Sequence, residues 1–144
     1  MKVFSIGFTQ TTAESFFTRL QRAHVRRIVD VRLNNVSQLA GFAKRPDLQY
    51  FCRSICGIDY VHVPDLAPTA DMLDAYKKAG GSWADYEAKF VGLMTRRKIE
   101  DTITKEIIDE GCLLCSEARP EHCHRRLVIE YLRARWGDVE VRHL

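Results

Sequence analysis

The chain has 144 residues, 46% hydrophobic and 28% charged, and its 22 basic and 19 acidic side chains leave a formal net charge of +3. That is the profile of one globular domain with a core of its own. The charge excess is too small to argue by itself for nucleic acid or a membrane surface, and no apolar run approaches the ~20 residues of a spanning helix.

Residues 1–7 are too short and too soon polar for a secretory signal, so the expected location is cytoplasmic. Five cysteines, at 52, 56, 112, 115 and 123, are an odd count without a secretory signal. They argue against a disulfide framework and are read as reduced thiols.

Residues 3–6 form a short apolar run ending at Gly7, a first strand. Thr11 with Glu14 fits a capping box, and Phe16, Phe17 and Leu20 recur at helical spacing, so the pattern predicts a helix over 12–23. Residues 27–31 are β-branched and apolar, a second strand, with Asp30 and Arg32 at its C-terminal end. A loop without period spans 33–45. Pro46 suits a first helical position, Leu48, Phe51, Cys52 and Ile55 make one buried stripe, and Gly57 caps its end. Cys52 and Cys56 are then core or near-core thiols.

Residues 58–63 read as a third strand stopped by Pro64 and Asp65. Helices follow over 71–79, over 83–96 with Ser82 as its cap, and over 99–109. Trp83, Tyr86, Phe90 and Leu93 share one side of the second of these. A fourth strand over 112–115, a helix over 122–136 and a last strand over 139–143 complete the chain. The order predicts a single α/β domain over 1–144, with a mostly parallel sheet of about five strands and helices on both faces. Right-handed crossovers bring all strand C-termini to one edge, where ligands of open α/β sheets bind. Gly7, Phe8 and Thr9, then Asp30 and Arg32, then His62 to Asp65, then Cys115 to Arg126 should therefore share a rim.

Residues 111–126 concentrate the chemistry: Cys115, Glu117, His122, Cys123, His124, Arg125 and Arg126 lie within a few turns of chain. Cys123 stands at a helix start beside His124 and Arg125, where a thiolate is favoured; Cys115, at the strand exit, is the alternative reactive thiol. The bland reading is that Cys115 is core and Cys123 caps or packs. The helix start with Arg125, completed by Arg32, also suits an anion. Arg126 reads as solvated. Glu117 and His124 are the candidate acid/base pair; the bland reading of Glu117 is helix-start stabilisation or an ion pair with Arg119. The spacing of Cys112, Cys115, His122, Cys123 and His124 looks like zinc ligation, but residues three apart on a strand point to opposite faces. No metal is expected; a site of Cys115, Cys123 and a histidine is the one arrangement left open. Phosphate-cradling glycine motifs, nucleophile elbows and HExxH helices are missing from the sequence.

Several of these segments resemble one known family, catalogued as domain of unknown function 488. Ser5-Ile6-Gly7-Phe8-Thr9 is similar to its opening motif, and Asp30-Val31-Arg32 to its second, with Ser37 and Gly41-Phe42-Ala43-Lys44 following. Gly57-Ile58-Asp59-Tyr60 with His62-Val63-Pro64 resembles its third strand. Leu114-Cys115-Ser116-Glu117 through Cys123-His124-Arg125 resembles its most specific motif, and Val141-Arg142-His143-Leu144 its close. The chain departs from the pattern at Phe8-Thr9, where His-Ser is usual, at Val36, where proline is usual, and at Leu66-Ala67, where Leu-Gly is usual. The loss of that imidazole weakens any proton-transfer role for the first loop. The resemblance implies an α/β fold and a shared polar site on the motif residues, and supplies no reaction.

The leading expectation is an enzyme for a small anionic or nucleotide-like substrate. Cys115, Glu117, Cys123 and His124 would be catalytic; Gly7, Thr9, Asp30, Arg32, Ser37, Lys44 and Arg125 would bind substrate; no cofactor is specified. Asp30 would orient Arg32 or bind a ribose-like hydroxyl. The alternative is a non-catalytic module for nucleic acid or a partner protein, supported by Arg96, Arg97, Lys98, Arg19, Arg22, Arg26 and Arg27.

Overall fold

The computed structural model describes residues 1–36 and 40–144; Ser37 lies outside the described residues. Five strands form one all-parallel sheet: β1 (Lys2–Gly7), β2 (Arg27–Asp30), β3 (Asp59–His62), β4 (Gly111–Cys115) and β5 (Glu140–His143), in the order β3-β2-β4-β1-β5. Between them run α1 (Ala13–Arg22), α2 (Arg45–Phe51), α3 (Ala70–Lys77), α4 (Trp83–Arg97), α5 (Ile99–Thr102), α6 (Lys105–Ile108) and α7 (His124–Trp136).

The chain moves one way across the sheet from β1 to β2 to β3, then reverses. Right-handed crossovers put the two directions on opposite faces. Accordingly α1 and α2 bury Phe16, Phe17, Leu20, Leu48 and Cys52 against Phe4, Ile6, Ile28, Cys112 and Leu114. On the other face α4 to α7 bury Phe90, Met94, Ile99, Ile108, Val128 and Leu132 against Val3, Val29, Leu113 and Cys115. Cys112 and Cys115 therefore face opposite cores, as strand alternation requires. The register aligns Gly7 with Cys115, and Asp30 with both Leu114 and His62, so the strands end together along one edge.

Local departures from the pattern have local causes. The helix α1 is capped by Thr12, whose hydroxyl accepts from the Ser15 N–H at 3.1 Å, and not by Thr11, whose hydroxyl donates to the Thr9 carbonyl. Three residues after Thr12 stands Ser15, too short to return the bond, so no capping box closes. Thr12→Ala is expected to lower the unfolding free energy by about 1 kcal/mol in urea denaturation, against less than about 0.5 kcal/mol for Thr11→Ala.

After α2 the helix widens into a π-turn over Cys52–Cys56, ended by Gly57 in the left-handed region at φ 65°. The wider turn rotates the apolar stripe. Cys52 stays buried, while Ile55, expected inside, is 47% exposed. The single helix expected over 99–109 is two short ones, because Ile103 and Thr104 adopt extended backbone between α5 and α6.

Candidate active site at the C-terminal edge

Beyond the ends of β2 and β4 lies a cavity of about 180 Å³. Its floor is Cys115, Cys123 and His124; one side is Arg32 and Asn34; the mouth carries Lys77 and Glu117; and Tyr76, Trp83, Tyr86 and His122 form an aromatic wall. In that wall Trp83 stacks on His122 (centroids 5.0 Å apart, 22° between planes) and on Tyr86 (5.2 Å, 28°).

The chemistry is concentrated on the floor. Cys115 ends the buried strand β4, and His124 is the first residue of α7. Cys115 Sγ lies 3.6 Å from His124 Nδ1, and His124 Nε2 lies 2.6 Å from the Val31 carbonyl oxygen. A carbonyl can only accept, so Nε2 carries a proton and Nδ1 is left to exchange one with the thiol. Phe90 packs edge-on against the ring, 5.4 Å between centroids. Both ring nitrogens are thus engaged, and the expected partnership of His124 with Glu117 is not formed. Glu117 instead pairs with Lys77, Oε1 to Nζ 3.0 Å.

Cys123 occupies the N-cap of α7 with extended backbone, yet its side chain makes no capping bond. Its sulfur lies within 4.8 Å of Cys115 Sγ. The neighbouring Cys123 thiol, joined by the His124 charge and opposed by burial, holds the Cys115 thiol well below the ordinary thiol range. Burial, then the nearness of Cys115, pushes the Cys123 thiol well above it. Burial works against a charged His124, but attraction to and hydrogen bonding with Cys115 outweigh it and raise the imidazole. Both shifts run in the direction that favours a thiolate at Cys115 and a charged imidazole at His124, and the shift at Cys123 favours its thiol.

Cys115 Sγ, Cys123 Sγ and His124 Nδ1 lie within 4.8 Å of one another, close enough to share a soft cation. Such a cation would have to displace the proton of Cys123.

The remaining residues expected to bind substrate divide into lining and support. Arg32 lines the cavity, and its side chain is 3% exposed. It forks onto Asp30, Nε to Oδ1 2.9 Å and Nη2 to Oδ2 2.8 Å, while its Nη1 has no partner among the described residues. Asp30 is fully buried and also accepts from the Tyr60 hydroxyl and the Arg32 N–H, so its oxygens are occupied within the fold and it orients Arg32. Burial first, and then the bond to Asp30, raise the Tyr60 phenol.

Gly7, Thr9 and Arg125 do not line the cavity; they hold the loop that does. A Cβ on Gly7 would overlap the Glu117 carbonyl oxygen, so only glycine lets that loop close on β1. Thr9 donates to the Ser116 carbonyl from both its N–H and its hydroxyl. Arg125, 2% exposed, donates to the Glu117 and Ala118 carbonyls and to Ser5 Oγ, and Nη1 sits 3.7 Å from Cys123 Sγ. Lys44 is exposed, precedes α2 and is away from the cavity lining.

Sequence reasoning missed Tyr76, Lys77, Trp83 and Tyr86 as lining residues, and Tyr60 as the partner of Asp30; His122, expected on this rim, does line the cavity. The available signal was length. Residues 63–110 connect β3 to β4, far more than the dozen or so a crossover needs. The surplus folds over the edge as α3 and α4.

No curated protein and no solved structure matches the chain. One family model does, described as domain of unknown function DUF488, over residues 12–132. The match runs from the cap of α1 to near the end of α7 and takes in the whole floor of the cavity; the chain belongs to the DUF488 family.

Proposed function

We propose that the cavity is the active site of a thiol enzyme, in which Cys115 attacks an electrophilic centre of a small anionic substrate. The observation that carries this reading is the 3.6 Å approach of Cys115 Sγ to His124 Nδ1 on the cavity floor, with the imidazole oriented through Val31. A nucleophile, its proton partner and the group that fixes that partner stand in line, the arrangement nucleophilic catalysis requires.

Charge supports the anionic preference. Arg32 is balanced by Asp30, Lys77 by Glu117, and His124 by the Cys115 thiolate. Arg125 has no carboxylate partner among the described residues and leaves the site with surplus positive charge. The volume suits a small molecule; a dry cavity of about 150 Å³ takes up benzene. The nucleic-acid alternative loses support, because Arg26 pairs with Glu110 and Arg19, Arg27 and Arg97 donate to backbone carbonyls of the fold.

The test is alkylation with peptide mapping. Cys115 is expected to react with iodoacetamide at pH 6.5, where an ordinary thiol is only about 1% ionised, and to react faster still with the anionic iodoacetate. Cys115→Ser should abolish the fast phase. A Cys115 that reacts no faster than the other cysteines at that pH overturns the thiolate; a preference for the neutral reagent overturns the anion.

A further inference from the structure

The reading above leaves Cys123 without a task. It is 2% exposed, lines the same cavity as Cys115, and stands at a helix N-cap without capping the helix. Its sulfur lies within 4.8 Å of Cys115 Sγ. The other three cysteines cannot take its place: Cys52, Cys56 and Cys112 belong to or pack against the opposite core, across the sheet. The chain joining the two cavity thiols, residues 116–123, has no helix or strand of its own.

We propose that Cys115 and Cys123 form a dithiol that reduces small hydroperoxides and ends as a disulfide. This rests on the thiolate reading of Cys115. The Cys115 sulfur attacks the terminal oxygen of the hydroperoxide; an S–O bond forms, the O–O bond breaks, and the departing alkoxide takes its proton from the His124 imidazolium. Cys115 is then a sulfenic acid, and His124 is neutral. Cys123 gives its proton to His124 and attacks the Cys115 sulfur; the S–S bond forms, the S–O bond breaks, and the hydroxide leaves as water with the proton His124 returns. Two thiols lose two electrons, and the peroxide O–O bond gains them, giving one alcohol and one water.

The geometry separates the two roles. The sulfur beside the imidazole is the one that can be a thiolate at rest, and the neighbouring sulfur keeps the proton needed in the second step. The cavity volume of about 180 Å³ admits hydrogen peroxide or a short organic hydroperoxide.

The experiment treats the full chain with one equivalent of hydrogen peroxide and follows it by intact mass and peptide mapping. The expected product has lost two hydrogens, carries a Cys115–Cys123 crosslink, and returns to the starting mass with dithiothreitol. In Cys123→Ser, Cys115 should instead be trapped by dimedone as the sulfenic acid. If wild-type Cys115 is alkylated by iodoacetamide at pH 6.5 but peroxide carries it to sulfinic acid with Cys123 still reduced, this proposal falls and the thiolate reading stands. If Cys115 reacts with neither reagent, both fall.

Discussion

Arg125→Met is expected to lower the unfolding free energy by about 3–5 kcal/mol, the range for breaking a buried charged network from one side. The guanidinium enters from the first turn of α7 and reaches two other parts of the chain. Its Nε donates to Ser5 Oγ in the interior strand β1 at 3.2 Å, and Nη1 and Nη2 donate to the carbonyls of Glu117 and Ala118. Ser5 Oγ in turn lies 2.6 Å from His143 Nδ1 on the edge strand β5. Methionine matches the length of the stem but removes every donor. Two loop carbonyls then lose their partner, at about 1–3 kcal/mol for each that water cannot reach. Arg125→Lys should recover less than half of the loss, because one ammonium cannot reproduce a fork that holds two carbonyls and a hydroxyl. Urea unfolding followed by circular dichroism decides it. A loss below about 1 kcal/mol would mean that the loop is held by Gly7 and Thr9 alone.

This residue also shows where sequence reasoning stops. An arginine at a helix start beside a histidine reads as an anion clamp, and the chemistry behind that reading is sound. Arg125 does bind oxygen, but the oxygens belong to the chain's own loop, and nothing in residue order separates a carbonyl eight positions back from a substrate carboxylate. The fold was more legible. Strand, helix and strand alternate, and each apolar strand ends in a polar motif; with fixed crossover handedness, that alone gathers Gly7, Asp30, His62 and Cys115 on one edge. The opposed faces of Cys112 and Cys115 follow from the strand period. The aromatic wall was not legible, because Trp83 and Tyr86 sit on the same helical stripe as Phe90 and Leu93. A stripe of rings looks the same whether its first turn meets a core or a cavity. Phe90 is fully buried while Trp83 lies at the opening, and only the way α4 crosses the sheet edge decides which.

His124→Gln is expected to slow alkylation of Cys115 at pH 6.5 on the order of tenfold, and to move its pH profile upward. Four influences set the thiol: Cys123 lowers it, burial raises it, His124 lowers it through charge and a hydrogen bond, and the Glu117 backbone lowers it further. Glutamine keeps a donor near the Val31 carbonyl but carries no positive charge. Burial is then opposed only by Cys123 and the Glu117 backbone, and the thiolate form retreats to higher pH. The sign follows directly: a thiol held below its ordinary range keeps its reactivity to lower pH than a free thiol does, and raising it removes reactivity there while leaving it at alkaline pH. The rate falls less than the thiolate fraction, since a more basic thiolate is also a stronger nucleophile. The position of the profile is therefore the sharper measurement, and a merely structural histidine would not move it. Superimposable profiles for the variant and the parent chain would show that the imidazole orients the helix start without activating the sulfur. The nucleophile would then have to be sought elsewhere on the cavity floor.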